Sequence, residues 1–305
     1  MVSFSDLGIG PAIVKELNKQ GITDPFEVQK ESIPDSLLGR DVCCRAPTGS
    51  GKTLAFGLPL IARTRRANSK RPTALILTPT RELAEQINSV LKPIALAVDR
   101  DVVSIYGGVS YKKQYNALNK GVDILVACPG RLIDLLDRRA LKLDDVETVV
   151  LDEADRMADM GFMDPVCEIL DQCSENRQTI LFSATLDDEV ADLVKNYQKN
   201  PVTIEVGPKE VSIENMQHLF WTMKPHQKLR VTSEILTKCG KTMIFCKTRR
   251  GVDRLGDEMY DAEINISTLH GGLNQRQRDR AIRRFTKGGS IALVATDVAA
   301  RGIDI

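Results

Sequence analysis

An excess of charge of either sign is missing from this 305-residue chain: 42 Lys and Arg meet 41 Asp and Glu, a net charge of +1. No global basic field therefore advertises a nucleic-acid partner, although local patches bind phosphate even on a neutral protein. Long apolar runs are missing too. None approaches the length of about 18 residues that a membrane-spanning helix needs, and the opening "MVSFSDLGIG" lacks a signal-peptide pattern. The seven cysteines are odd in number, and no two have CxxC or zinc-finger spacing. Several stand inside apolar runs, as small buried thiols do in a reducing compartment. His270 has no His or Cys at ligand spacing, which argues against a metal there. Low-complexity segments are absent as well. These shortages set aside disulfide scaffolds, zinc modules and membrane proteins, and they predict a cytoplasmic protein.

What is present is the composition of an ordinary globular protein, 42% apolar and 27% charged. Two domains are expected at this length, because single cores rarely grow past about 250–300 residues. Short apolar runs alternate with amphipathic stretches almost throughout. "ALILT" (74–78), "DILVAC" (123–128), "TVVLD" (148–152) and "TILFSAT" (179–185) read as strands. "TRELAEQINSVLKPIA" (80–95) and "GRLIDLLDRR" (130–139) read as helices between them. Strands buried on both faces show unbroken apolar runs, so the pattern predicts an α/β fold with parallel sheets covered by helices. Gly207, Pro208 and mixed charge break the rhythm over 207–216 and predict a linker between domains at 1–206 and 217–305. After it, "QHLFWTM", a helix from about Pro225, "KTMIFCKT" and "SIALVAT" resume the alternation.

The two halves also resemble each other. "ALILT" ending at Thr78 matches "TMIFC" ending at Cys246, and "ILVACPGR" with Cys128 matches "ALVATDVA" with Thr296. Both offsets are 168 residues (246 − 78 and 296 − 128). "SIYGGVS" with Gly107 matches "TLHGGLN" with Gly271 at an offset of 164. Three matches in order at nearly one offset predict two copies of one α/β unit.

The segment "RAPTGSGKT" (45–53) follows an apolar run and precedes a helical one, in the pattern A-x-x-x-x-G-K-T. Ala46 stands where a strict P-loop has its first glycine. Thr48, Gly49, Ser50 and Gly51 let backbone N–H groups curl around a phosphate chain at a helix N-terminus. Lys52 is placed to reach the β- and γ-phosphates, and Thr53 to ligate Mg²⁺. In "TVVLDEAD" (148–155) an apolar strand ends in Asp152, a carboxylate for the same Mg²⁺. Adjacent Glu153 is the candidate to orient and deprotonate an attacking water. Acidic pairs after strands also serve as plain helix caps, so it is the combination with the P-loop that predicts nucleotide hydrolysis. Ser183 and Thr185 end the next strand with two hydroxyls and are candidates to couple the nucleotide site to a neighbouring domain.

"GITDPFEVQ" (21–29), "APTGSGKT", "PTREL" (79–83), "GG" (107–108), "CPGR" (128–131), "LDEAD" (151–155), "SAT" (183–185) and "ATDVAARGID" (295–304) occur in the order seen in DEAD-box RNA helicases. By these eight motifs the chain resembles that family across nearly its whole length. The resemblance implies two RecA-like domains, ATP and Mg²⁺ as cofactors, and RNA as partner to a monomer. Gln29 then reads the adenine edge, Phe4 packs on the base, and Asp304 approaches the ribose. Ser183 and Thr185 belong to the motif that links hydrolysis to domain closure, so they join Lys52, Asp152 and Glu153 as candidate catalytic residues.

The place for RNA is partly readable without the family. "PTREL", "CPGR" and "TDVAARG" follow buried strands, and in parallel sheets such loops cluster at the carboxyl ends where ligands bind. Few aromatics lie in them, which favours backbone contacts over base stacking and weak sequence preference. The resemblance assigns RNA contacts to Pro79, Thr80, Arg81, Gly107, Gly108, Pro129, Gly130 and Arg131 in the first domain. In the second it assigns Thr248, Gln275, Arg278 and Thr296. Cys128 departs from the family, which usually has Thr or Ser there, and loses a strong hydroxyl donor.

The family's last motif, rich in His, Gly and Arg, does not follow Asp304, so the second domain is expected to be incomplete. The expected function is ATP-dependent unwinding of short RNA duplexes by two domains that close on ATP and single-stranded RNA. For so short a chain the alternative is a nucleotide- and RNA-binding module with little turnover. A DNA-directed helicase or a P-loop kinase is the remaining rival.

Overall fold

The structure is a computed structural model and describes residues 2–186, 188–207 and 217–296. The chain divides into two compact units, Met1–Lys209 and Glu210–Ile305. The dividing point falls within the sequence-predicted linker, most of which lies outside the described residues.

In the first unit α1 (Pro11–Lys19) and α2 (Glu27–Leu37) precede β1 (Val42–Arg45) and α3 (Lys52–Arg63). Then come β2 (Ala74–Leu77), α4 (Arg81–Leu96), β3 (Val102–Ile105), α5 (Tyr111–Lys120), β4 (Ile124–Ala127) and α6 (Pro129–Asp137). The unit continues with β5 (Thr148–Asp152), α7 (Ala154–Asp159), α8 (Met163–Asp171), β6 (Gln178–Ser183), α9 (Asp188–Tyr197) and β7 (Val202–Glu205). All seven strands pair in parallel, in the order β3-β4-β2-β5-β6-β1-β7.

Alternation along the strands explains the unbroken apolar runs. Ile76, Val126, Val150 and Ile180 pack into one core, with Phe56 and Ile87 of the covering helices. Their neighbours Leu75, Leu125, Leu151 and Leu181 pack into a second core on the opposite face, with Leu132 and Ile169. Because side chains of a strand alternate between faces, a sheet with two cores needs an apolar residue at every position. Each such aliphatic side chain contributes roughly 1.5–3 kcal/mol on burial.

The second unit holds α10 (Lys228–Cys239), β8 (Thr242–Cys246), α11 (Arg249–Asp261), β9 (Ile266–Leu269), α12 (Gln275–Thr286) and β10 (Ala292–Thr296). A short 3-10 turn over Pro225–Gln227 leads into α10, where the sequence predicted a helix. The three strands are parallel in the order β8-β10-β9. The sequence repeat equates them with β2, β4 and β3, which lie in that same order in the first sheet. "QHLFWTM" does not continue the alternation: residues 217–224 form neither helix nor strand, and Leu219, Phe220 and Trp221 are exposed. Its apolar residues mimic a strand without being buried.

Candidate nucleotide and nucleic-acid site

Strands β5, β6 and β1 are neighbours, and the loop after each carries one nucleotide motif. After β1 the chain turns through Ala46–Gly51 and enters α3 at Lys52. Gly49 and Gly51 have φ of 81° and 90°, in the left-handed region that glycine adopts without strain. A Cβ on Gly51 would lie 2.5 Å from Phe26 Cδ2 and 2.6 Å from Gln29 Nε2. Glycine therefore lets the start of α2 rest directly on the loop. Gln29, buried, donates from Nε2 to the Gly51 carbonyl at 3.0 Å, and its Oε1 accepts from Phe26 N at 2.9 Å. Lys52 is also buried and donates from Nζ to the Ala46 carbonyl at 3.3 Å. Ser50 Oγ donates to Pro47 O at 2.8 Å, while Thr48 and Gly49 form the exposed tip and Thr53 is half-buried in the first turn of α3.

Asp152 ends β5 almost inaccessible to solvent, and its Oδ1 has no hydrogen-bond partner among the described residues. Burial pushes its carboxyl up to about 7, with the charge of Lys52 pulling the other way. A buried carboxylate oxygen left unpaired is what a hard divalent cation takes as ligand. The donor set Asp152 and Thr53 therefore fits Mg²⁺. Glu153 adopts φ 54°, a conformation that costs a non-glycine residue on the order of 1–3 kcal/mol and is typical of functional turns. Its Oε2 accepts from Arg156 Nη1 at 2.8 Å. Burial raises the Glu153 carboxyl, and the Arg156 guanidinium opposes that rise.

Ser183 is fully buried behind these loops. Its Oγ accepts from Asp155 N at 3.1 Å and its carbonyl accepts from Ala46 N at 3.0 Å. It thereby ties the turn after β5 to the loop after β1. Thr185 stands exposed beyond the strand. Phe4, expected to pack on the base, lies enclosed by protein. It is 2% exposed within the first core and offers no open ring face, because burying a phenyl ring outweighs leaving it at the surface. The open aromatic ring beside the loop belongs to Phe26, 61% exposed.

The neighbouring strands β2, β4 and β3 carry the candidate RNA loops. Thr80 caps α4, accepting from Leu83 N at 3.3 Å, with Pro79 buried before it. Arg81 Nη1 lies 2.5 Å from where a Cβ on Gly108 would be, so the second glycine of "GG" makes room for the guanidinium. Gly107 and Gly130 have open space at that position. Arg131 is enclosed. It donates to Gln114 Oε1 at 2.9 Å and Val109 O at 3.3 Å and stacks on Tyr111 at 4.2 Å. It braces the "GG" loop from behind rather than standing open to a phosphate. Pro129 begins α6 after Cys128, whose thiol burial pushes up to about 12 and keeps inert.

In the second unit Thr248 caps α11, accepting from Gly251 N at 3.0 Å, as Thr80 does 168 residues earlier. Arg249 lies 3.0 Å from the Cβ position of Gly271, the first glycine of its pair, whereas Arg81 meets Gly108, the second of its own. Arg278 is buried, Gln275 is the first residue of α12, and Thr296 ends β10 half-buried. Asp304 lies outside the described residues. Arg249 was not among the sequence candidates, although its offset of 168 from Arg81 marks it. Phe26 and Arg156 were also missed. Phe26 stands inside "GITDPFEVQ" and Arg156 directly after "LDEAD", so motif membership was the signal that could have marked them.

Residues 26–193 match the DEAD/DEAH box helicase family, and residues 227–305 match the helicase conserved C-terminal domain. The DEAD-box ATP-dependent RNA helicase 9 of Oryza sativa subsp. japonica is 41% identical over 100% of this chain and 49% of its own length. The DEAD-box ATP-dependent RNA helicase CshA of Streptococcus pneumoniae is 38% identical over 100% of the chain and 58% of its length. The chain thus spans about half the length of the curated relatives it matches. Saccharomyces cerevisiae Dbp5 bound to RNA and ADP BeF3 superposes with a TM-score of 0.87 at 31% identity, over 100% of this chain and 78% of that one. A DEAD box protein from Methanococcus jannaschii gives 0.65 at 33% identity, over 100% and 82%. The chain belongs to the DEAD/DEAH box helicase family, and its two units are RecA-like.

Proposed function

We propose that this chain is the two-unit core of an ATP-dependent RNA helicase, taking ATP with Mg²⁺ at the first unit and single-stranded RNA along loops of both. The adjacency of loops carries the reading. β1, β6 and β5 present the nucleotide motifs, and the next three strands of the same sheet present Pro79–Arg81, Pro129–Arg131 and Gly107–Gly108. That relatives are named ATP-dependent RNA helicases, and that yeast Dbp5 holds RNA with ADP BeF3, supports it.

The residues divide the work. Backbone N–H groups of the glycine loop and the N-terminus of α3 receive the phosphate chain, and Lys52 turns from the Ala46 carbonyl towards it. Thr53 and Asp152 would hold Mg²⁺, which supplies Lewis-acid stabilisation of the phosphoryl oxygens. Glu153 leaves Arg156 to orient the attacking water and take its proton. Gln29 keeps one N–H and one carbonyl lone pair beyond its two internal bonds, the donor and acceptor an adenine edge requires. Ser183 holds the two catalytic turns in register with each other.

A short RNA duplex with a single-stranded tail tests the proposal. Strand release is expected with ATP and Mg²⁺, and is expected to vanish without nucleotide and in a Lys52→Ala chain. Release independent of ATP, or none with it, refutes the helicase reading.

A further inference from the structure

We propose that the open edge of β9 in the second unit is a docking site for an extended peptide whose residues alternate between basic and acidic. The inference stands independently of the helicase reading. β9 pairs with β10 on one side only, and its other edge has no strand partner among the described residues. The Asn265 carbonyl accepts from Ile291 N, so by backbone alternation Ile266 and Thr268 turn their N–H and C=O groups to the open side. Such an edge is a template for strand addition.

The edge is not flat. A cavity of about 910 Å³ runs along residues 266–268 of β9 between α11 and α12. Gly256 sets how closely α11 approaches: a Cβ there would lie 2.8 Å from Thr268 Cγ2. The two walls carry opposite charge. Asp257 and Asp261 line the side of α11, and Arg280 and Arg284 line the side of α12. The side chains of Asp257, Asp261 and Arg280 make no ion pair or hydrogen bond among the described residues, and Arg284 braces Asn265 and the Gly289 carbonyl.

Spacing selects the occupant. Residues four apart on a helix rise about 6 Å, and residues two apart on a strand about 6.7 Å. A strand laid along β9 therefore sends alternate side chains towards Asp257 and Asp261, and the intervening ones towards Arg280 and Arg284. Basic residues suit the first wall and acidic residues the second. The acidic wall repels a phosphate backbone, which argues against RNA here. Main-chain bonds to β9 supply affinity and the two walls supply register.

The probe is an end-capped, fluorescein-labelled octapeptide of order Thr-Val-Lys-Glu-Lys-Glu-Val-Thr, titrated into the 305-residue chain. Saturable binding is expected. N-methylation of its alternate amides should weaken it at least tenfold. The double variant D257K/D261K should also lose it at least tenfold, and should instead bind the peptide in which both lysines are glutamate. Circular dichroism of the variant checks that it is folded, and Arg280→Glu tests the opposite wall with the same sign of effect. No saturation up to about 1 mM peptide, or binding indifferent to N-methylation, overturns the proposal. A mass of twice the chain without peptide assigns the edge to a second copy and overturns it as well.

Discussion

At Asp152 the fold buries a carboxylate near one cation and leaves an oxygen unpaired, an arrangement that works against stability. Its folded carboxyl titrates at about 7 against an ordinary 3.8. Between those values the folded chain keeps a proton that the unfolded chain has lost, so this group makes stability fall as pH rises through the window. The loss reaches up to about 4 kcal/mol. Asp152→Asn, measured without Mg²⁺, should raise Tm clearly more at pH 8 than at pH 5. An equal rise at both contradicts the burial argument. The motifs that carry Lys52, Thr53, Asp152 and Glu153 stand out in the sequence by residue type and short spacing, and the fold brings the strands before them into one sheet. The enclosure of Phe4 and Arg131 was not legible, because exposure is decided by residues distant in sequence. The ring of Phe4 joins the first core, and the guanidinium of Arg131 meets Tyr111 and Gln114 of another helix.

Among elements, two short turns hold the site together. Gly51 starts α3 at φ 90° with Phe26 and Gln29 against it, so Gly51→Ala meets both left-handed strain and a clash. It should cost about 1–3 kcal/mol, read as a lower urea midpoint, with weaker ATP binding. An unchanged midpoint counts against the close packing of α2 on the loop. Ser183→Ala removes the bond to Asp155 N, worth about 1 kcal/mol, and should lower kcat for ATP while leaving KM near its original value. A rise in KM alone assigns Ser183 to substrate binding instead. The strands were legible because a sheet with two cores needs apolar residues at every position. The exposed run at Leu219–Trp221 shows the limit of that rule. Apolarity marks what a strand needs and does not show that anything covers it.

Across the whole molecule, one topology is used twice. β3-β4-β2 of the first unit and β9-β10-β8 of the second share order, direction, threonine caps at Thr80 and Thr248, and an arginine against a glycine of the "GG" loop. The first unit adds β5, β6, β1 and β7, and the loops after the first three are the ones proposed to take the nucleotide. That division was legible as an offset of 168 residues between short apolar strings, before any contact was known. The pairing of charged walls along β9 was not, because it joins α11 and α12 through the strand between them. If the nucleotide loops and the RNA loops work as one device, RNA must govern ATP turnover. Steady-state ATP hydrolysis, with and without single-stranded RNA, is the direct measurement, run on the chain and on Glu153→Gln in parallel with nucleotide binding. Turnover should rise with RNA and not with DNA of the same sequence, and Glu153→Gln should bind ATP normally yet hydrolyse it about 10²–10⁴-fold more slowly. Hydrolysis indifferent to RNA, or undiminished in Glu153→Gln, contradicts the assignment.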